Sequence, residues 1–414
     1  MQEKSQKLVD HLFRHESGKM VAVLTRVFGL ENLELAQDVV QETMIKALND
    51  WRFEIPQNPN GWLYRVAKNK AIDILRRNRK ISSSSPQLQV LLQSEWSLSP
   101  TIENLFLEEE IQDSQLRMIF SCCHPSLKLE AQIALTLKTL CGFSHKEIAS
   151  AFLTNEETIS KRIQRAKKKI IQENIPLEVP LGKALHKRLK AVLKSIYLLF
   201  NEGYYSANSN TVIKKDICLE AMRLTILLIS HPNTNTPSTH ALLSLMCFHA
   251  ARFEARTNEA GEVILLPFQN RKLWNKELIE KGFYHFQFSQ KGIVTEYHLE
   301  AAIASIHCTA EHYEETNWKT ILSLYDQLLT LKPSPIIKLN RAIALGKVIG
   351  PVKAIQELLK LAELKENTIY HTTLGDFYKE CGEDCKAQEC YQLAYDCAQT
   401  EPEKKFLLGK IGKD

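Results

Sequence analysis

Glycine and proline are scarce in this chain, 15 and 14 among 414 residues. Long stretches therefore carry no turn punctuation, which argues against a β-sandwich and for a mostly helical, all-α protein. No run of about 18 uncharged apolar residues occurs, as a membrane span requires; the best stretch, Ala191–Phe200, is short and interrupted by Lys194. The N-terminal MQEKSQKLVDHLFRHES has no apolar core, so no secretory signal is expected. Ten cysteines lie at irregular spacing, a pattern that fits a reducing cytoplasm better than a disulfide framework. A nucleophile elbow, a Walker loop and an HExxH metal motif are all missing, so neither catalysis by the chain nor a cofactor for it is expected.

What is present is an ordinary globular balance, 44% hydrophobic and 24% charged residues, at a length that suits two to four domains. The net charge of +5 is unevenly spread. Residues 1–194 hold 29 Lys and Arg against 22 Asp and Glu, a balance of +7, whereas residues 195–414 hold 24 against 26, a balance of −2. A basic front half points to an anionic polymer, nucleic acid before a membrane surface.

Apolar residues recur at helical spacing in Leu8, Leu12, Val21, Leu24, Val27 and Phe28, and again in Val39, Val40, Met44, Ile45 and Leu48. After the loop Phe53–Gly61 a helix is expected from Trp62 to about Lys80. Residues 81–115, with SSSSP and SLSP, read as a flexible connector. Helix returns over 116–174, and Ile175–Gly182, with two prolines, marks a break. The remainder divides into a helical part over 183–300 and a repetitive part over 301–414. There Ala342, Leu345, Ala354, Leu358 and Leu361 are matched 33 residues later by Gly375, Tyr378, Ala387, Tyr391 and Ala394. That spacing fits tetratricopeptide-like repeats, whose small residues let paired helices pack closely.

Three segments carry chemistry. In Gly142–Ile170, Ser144 and Glu147 form a capping box opening a helix over Lys146–Phe152. After a turn at Leu153–Asn155, a second helix aligns Ser160, Lys161, Gln164, Arg165 and Lys168 on one face. This is a helix-turn-helix pattern, in which Lys and Arg take phosphates or guanine edges and Ser and Gln read bases; a solvated basic helix of an ordinary bundle is the alternative. Residues 65–80 hold seven Lys or Arg and one acid, Asp73, with Trp62 and Tyr64 just before. Basic side chains beside aromatics can grip a phosphate backbone and stack unpaired bases, although the aromatics could equally belong to a core. N-terminal to both lies the helix Leu33–Leu48, with Asp38, Gln41, Glu42 and Lys46 on one side.

The order of these segments resembles bacterial sigma factors of the extracytoplasmic-function type. Asp38-Val39-Val40-Gln41-Glu42-Thr43 is similar to the region 2 helix that docks on the β′ coiled-coil of core RNA polymerase. The resemblance thus implies Asp38, Val39, Gln41, Glu42, Thr43 and Lys46 as polymerase contacts. Trp62–Lys80 is similar to the helix that melts and reads the −10 element, which implies phosphate contacts by Arg65, Lys68, Lys70, Arg76 and Arg77 and base contacts by Trp62 and Asn69. Gly142–Lys169 is similar to region 4, which binds the −35 element, implying Thr158, Ser160, Lys161, Gln164, Arg165 and Lys168, with the β flap as a further polymerase contact. Glu157-Thr158-Ile159 stands where the family often has Gly-Thr-Val, which leaves the fold intact and bears only on −35 preference. The segments SCCHP, YLLFNEGYY, EAMRL, FHAARFEAR and LNRAIAL resemble a subgroup of these sigma factors with a long helical extension. A regulatory contact of that extension, with the rest of the chain or with a protein partner, is the expectation; a nucleic-acid-binding adaptor and an effector-binding regulator are the alternatives.

Other polar groups have structural readings. Cys122-Cys123-His124 has no second ligand pair at zinc spacing, so no metal site is expected, and Cys381, Cys385, Cys390 and Cys397 suit packing of repeat helices. His249, Arg252 and Arg256, Asn201–Tyr204, and Gln269-Asn270-Arg271 are polar residues in apolar context. They suit buried hydrogen-bonded pairs locking helices, or an anion or effector pocket.

Overall fold

The computed structural model describes residues 2–78, 81, 83, 85–152, 154–205, 211–256, 264–398 and 401–412, and among these no strand occurs. Lys80, the expected helix end, Leu153 in the expected turn and residues 261–263 of the irregular middle lie outside the described residues. Two compact units divide the chain, Met1–Gly203 and Tyr204–Asp414. Among the described residues no helix is long and apolar enough to cross a membrane.

The first unit opens with α1 (Gln2–Phe28), α2 (Leu33–Asp50) and α3 (Pro59–Arg77). Its centre is α1, whose Met20, Ala22, Val23 and Leu24 are fully buried. Helix α3 begins three residues before the expected start, because Asn58 caps it by accepting from the Gly61 amide at 2.9 Å and Pro59 fills its first turn.

The expectation of a flexible connector over 81–115 is corrected. Helices α4 (Pro86–Gln93) and α5 (Glu95–Leu105) occupy it, and α6 (Glu108–Cys122) starts inside it. Ser85 caps α4 through the Leu88 amide, with Pro86 in the first turn. Leu88 and Leu92, then Leu98, Ile102 and Leu105, are buried at three- and four-residue spacing. A Ser-Pro pair that reads as loop punctuation is here a helix start.

The segment expected to be region 4 comprises α6, α7 (Leu129–Leu140), α8 (His145–Ala151) and α9 (Glu156–Gln172). The chain then breaks as expected, with Asn174 and Gly182 at φ 46° and 56°. All but the last two residues of α10 (Gly182–Tyr205) nevertheless belong to the first unit, which corrects the expected start of the extension at 183. Arg188 donates to the Phe120 carbonyl at 2.6 Å and Ser195 to Gln132 Oε1 at 2.6 Å.

The second unit continues with α11 (Thr211–Ser230), α12 (Pro237–Ala250), α13 (Lys276–Ser289), α14 (Glu296–Thr309), α15 (Trp318–Leu331), α16 (Pro335–Ile349), α17 (Pro351–Leu358), α18 (Thr368–Glu380), α19 (Asp384–Cys397) and α20 (Glu401–Ile411). The residues spaced by 33 are interior ones: Ala342, Ala354 and Leu358 are buried, as are Ala387, Tyr391 and Ala394. A Cβ on Gly375 would come within 2.7 Å of the Tyr391 ring, so the small residue sets how closely α18 and α19 pack. The repeat is imperfect, since α17 ends at Leu358 and Leu361 follows it outside any helix.

Candidate polymerase and nucleic-acid interfaces

Helix α9 sorts its residues by chemistry. Ile159, Ile163, Ala166 and Ile170 are buried, while Ser160, Lys161, Gln164, Arg165 and Lys168 are exposed on the opposite side. Thr158 is half-buried, its amide donating to Asn155 Oδ1 at 2.8 Å to start the helix. The preceding α8 carries the expected capping box: Ser144 N donates to Glu147 at 2.7 Å and Glu147 N to Ser144 Oγ at 3.2 Å. Lys161 pairs with Glu157 at 2.6 Å across one turn, an exposed contact worth little that DNA can displace.

Helix α3 buries Leu63, Ala67, Ala71, Ile72 and Leu75 and exposes Arg65, Asn69, Arg76 and Arg77. Lys68, Lys70 and Trp62 are half-buried, and Trp62 meets buried Trp51 edge-on at 5.3 Å. Tyr64 is not a free stacking face. Its hydroxyl donates to buried Glu16 at 2.5 Å and its ring lies 5.5 Å from Phe106, so it anchors α3 to α1 and to the end of α5. Burial and the Glu16 carboxylate together push its hydroxyl far above the usual phenol range.

On α2 the structure divides the expected polymerase contacts. Asp38, Gln41, Glu42 and Lys46 form an exposed stripe, but Val39 and Thr43 are buried. The Thr43 hydroxyl donates to the Val39 carbonyl at 2.7 Å, as a threonine facing a helix interior does. Ile45, which the periodicity places in the core, is 49% exposed beside Gln41, Glu42 and Lys46. The stripe thus has an apolar member that period counting missed. Glu42 also forms an ion pair with Lys70 of α3.

Region 4 is packed on region 2. Lys167, on the flank of α9, reaches Gln37 Oε1 at 2.8 Å and Glu34 Oε1 at 3.3 Å on α2. Arg14 of α1 pairs with Glu147 and lies 3.9 Å over the Phe143 ring. Arg26 pairs with Glu110 at 2.7 Å and Asp113 at 3.1 Å on α6. At Gly18 a Cβ would fall 2.1 Å from the Leu140 carbonyl oxygen, so α1 and the end of α7 touch backbone to backbone. Burial raises the Glu147 carboxyl, but bonds from Ser144 and Arg14 outweigh it and leave its pKa below the usual carboxylate range. Apart from Glu147, which the capping box had marked, these partners did not stand out in the sequence: Arg14, Gly18, Arg26 and Lys167 are charged or small at unremarkable helical positions.

Of the four repeat cysteines expected to pack between helices, only Cys390 is buried; Cys381 and Cys397 are half-buried and Cys385 is exposed, so packing does not account for all four. Cys122 and Cys123 are buried beside Thr139 and Thr136, their thiols pushed up by burial to about 12 and about 11. Among the described residues no group of three or more His, Cys, Asp or Glu could hold a metal.

The chain matches sigma-70 region 2 over residues 12–81 and sigma-70 region 4 over residues 117–170. Residues 188–290 match a family of unknown function, DUF6596. An uncharacterized protein of Rhizobium meliloti is 34% identical over 94% of this chain and 91% of its own length. The ECF RNA polymerase sigma-E factor of Haemophilus influenzae is 27% identical over 43% of this chain and 93% of its own. That of Escherichia coli K12 is 34% identical over 34% of this chain and 74% of its own. No solved structure matches at a significant level. With both DNA-binding regions in order, and the match to the Rhizobium protein running through the extension, the chain belongs to the extracytoplasmic-function type of sigma-70 family RNA polymerase sigma factors, which direct promoter-specific transcription, and carries a long helical C-terminal extension.

Proposed function

We propose that the exposed stripe Asp38, Gln41, Glu42 and Lys46, with Ile45 beside it, docks on the β′ coiled-coil of core RNA polymerase. Helix α3 then holds the opened −10 strand, with Arg65, Lys68, Lys70, Arg76 and Arg77 on phosphates and Asn69 and Trp62 at bases. Region 4, seated on the β flap, lays α9 in the −35 major groove, where Ser160, Lys161, Gln164 and Arg165 meet base edges and Thr158 and Lys168 the backbone. The observation that carries this reading is the division of α9 into an apolar buried side and an exposed side made of hydrogen-bond donors and cations. Polymerase performs the chemistry, so the chain itself is not a catalyst.

Use of both elements at once requires the first unit to open. The two elements lie about 25 base pairs apart, roughly 85 Å at about 3.4 Å per pair. A compact body of about 200 residues has a radius of gyration of roughly 17 Å, too small to touch both. Docking on α2 next to Glu34 and Gln37 competes with their hold on Lys167, which couples polymerase binding to release of region 4. For the extension we propose regulation in cis or through a protein partner, in the cytoplasm; the charge split and the buried positions recurring every 33 residues support a tetratricopeptide-like binding array.

Run-off transcription from a genomic promoter library, with purified core polymerase, tests the reading. Discrete start sites sharing a −35/−10 pair are expected only when the protein is added. Replacing Lys161 and Arg165 with Ala should weaken the −35 preference, whereas Lys168→Ala should lower the salt slope of DNA binding by about one. Absence of both start sites and core binding sinks the proposal.

A further inference from the structure

Three polar segments of the extension, far apart in sequence, meet in the second unit. Arg252 and Arg256 follow α12, Arg271 and Trp274 belong to the irregular stretch before α13, and His307 ends α14. Arg252 and Arg271 both lie over the Trp274 indole, at 5.3 and 4.7 Å from its centroid. Arg256 lies 3.8 Å over the Tyr204 ring. Each guanidinium also has a structural task. Arg252 donates to Gln269 at 3.1 Å, Arg256 to the Tyr204 carbonyl, and Arg271 to the His307 carbonyl and, at 2.7 Å, to that of Ala310.

Those tasks use some donors but neutralise no charge. Among the described residues, none of the three arginines has a carboxylate within ion-pair distance. Glu314 and Glu315 act on Arg271 only from exposed positions. The two histidines do not compensate: burial and the neighbouring arginines push His249 and His307 down to about 3, so both are neutral. Two adjoining buried donors, Arg271 Nη2 and Trp274 Nε1, have no hydrogen-bond partner, nor has Nδ1 of the neighbouring His307. Folded proteins rarely leave buried donors unmet, and several in one place mark a missing acceptor. Half-buried cations without counter-charge are costly as well. A group that meets both needs is an oxyanion, since guanidinium forks match its geometry.

We propose that Arg252, Arg271 and Trp274, flanked by Arg256 and His307, form a binding site for a small divalent oxyanion in the extension. The site shares no residue with the promoter-reading surfaces, and its occupancy ties together the α12 end, the segment before α13 and the α14 end.

Isothermal titration of the full-length protein with inorganic phosphate and with succinate, at matched ionic strength and against chloride, tests this. Saturable heat is expected, with a saturable rise in unfolding temperature, unlike the unsaturating stabilisation that excluded salts give. A response to phosphate alone assigns a phosphoryl group, and a response to succinate alone a carboxylate. Arg252→Gln should weaken binding about ten- to hundredfold. Because Arg252 bonds another side chain rather than a helix end, this variant keeps its fold. Arg271→Lys, which keeps the charge but loses the fork, should weaken it too. No saturable heat from either anion, or binding that Arg252→Gln leaves unchanged, overturns the proposal.

Discussion

Single residues set how region 4 rests on region 2. Glu147 caps α8 and receives Arg14, and its pKa lies below the ordinary carboxylate value of 4.5. A depressed carboxyl contributes stability that is present above the unfolded value and lost as pH falls through the folded one. Urea unfolding should therefore find wild type more stable than Glu147→Gln at pH 7, with the gap shrinking below about pH 4.5. An equal gap at pH 7 and pH 3 contradicts the assignment. Gly18 offers a steric test. Its missing Cβ leaves room for the Leu140 carbonyl, so Gly18→Ala should cost about 1–3 kcal/mol by overpacking, read as a lower urea midpoint.

Among elements, the connector helices are the departure with most consequence. Ile102 is fully buried on α5 and Leu98 nearly so. Ile102→Ala should cost about 2–5 kcal/mol and speed hydrogen exchange across α4 and α5. In a flexible connector the same change would alter neither. The composition of SSSSP and SLSP suggested a loop because serine and proline are counted as breakers. Ser85 and Pro86, placed immediately before an apolar run, act as cap and first turn of α4 instead, while Ser97, Ser99 and Pro100 lie within α5. Helix α9 needed no such correction, since its cap, its apolar side and its basic side are all local features within one segment.

At the scale of the whole molecule, the contacts between regions 2 and 4 and the division between units make separate predictions. Lys167→Glu places a carboxylate against Glu34 and should speed hydrogen exchange where α9 meets α2; unchanged exchange means the pair holds nothing. Truncation has a preferred place. A chain ending at Gly203 keeps the bonds from Arg188 and Ser195 to region 4, whereas one ending at 182 loses both. The shorter chain should unfold at a lower temperature. Promoter output from 1–203, compared with the full chain, then reports what the extension does. Equal output and equal polymerase affinity would remove its regulatory role.

The sequence by itself determined the helical class, the order of the two DNA-binding regions and the helix that presents Ser160, Lys161, Gln164 and Arg165. These follow from periodicity, caps and charge along short segments, which one helix turns directly into faces. It also marked the polar clusters around His249 and Gln269, though not that they meet. Only the tertiary structure decided that Thr43 and Tyr64 face inward, that Ile45 faces outward, and that region 4 is held by Arg14, Gly18 and Lys167. It likewise brought Arg252, Arg271 and His307 together from positions up to 55 residues apart. Local patterns say which side of a helix is apolar. Which neighbour covers that side, and which distant charge meets a given arginine, depends on how the helices pack against one another.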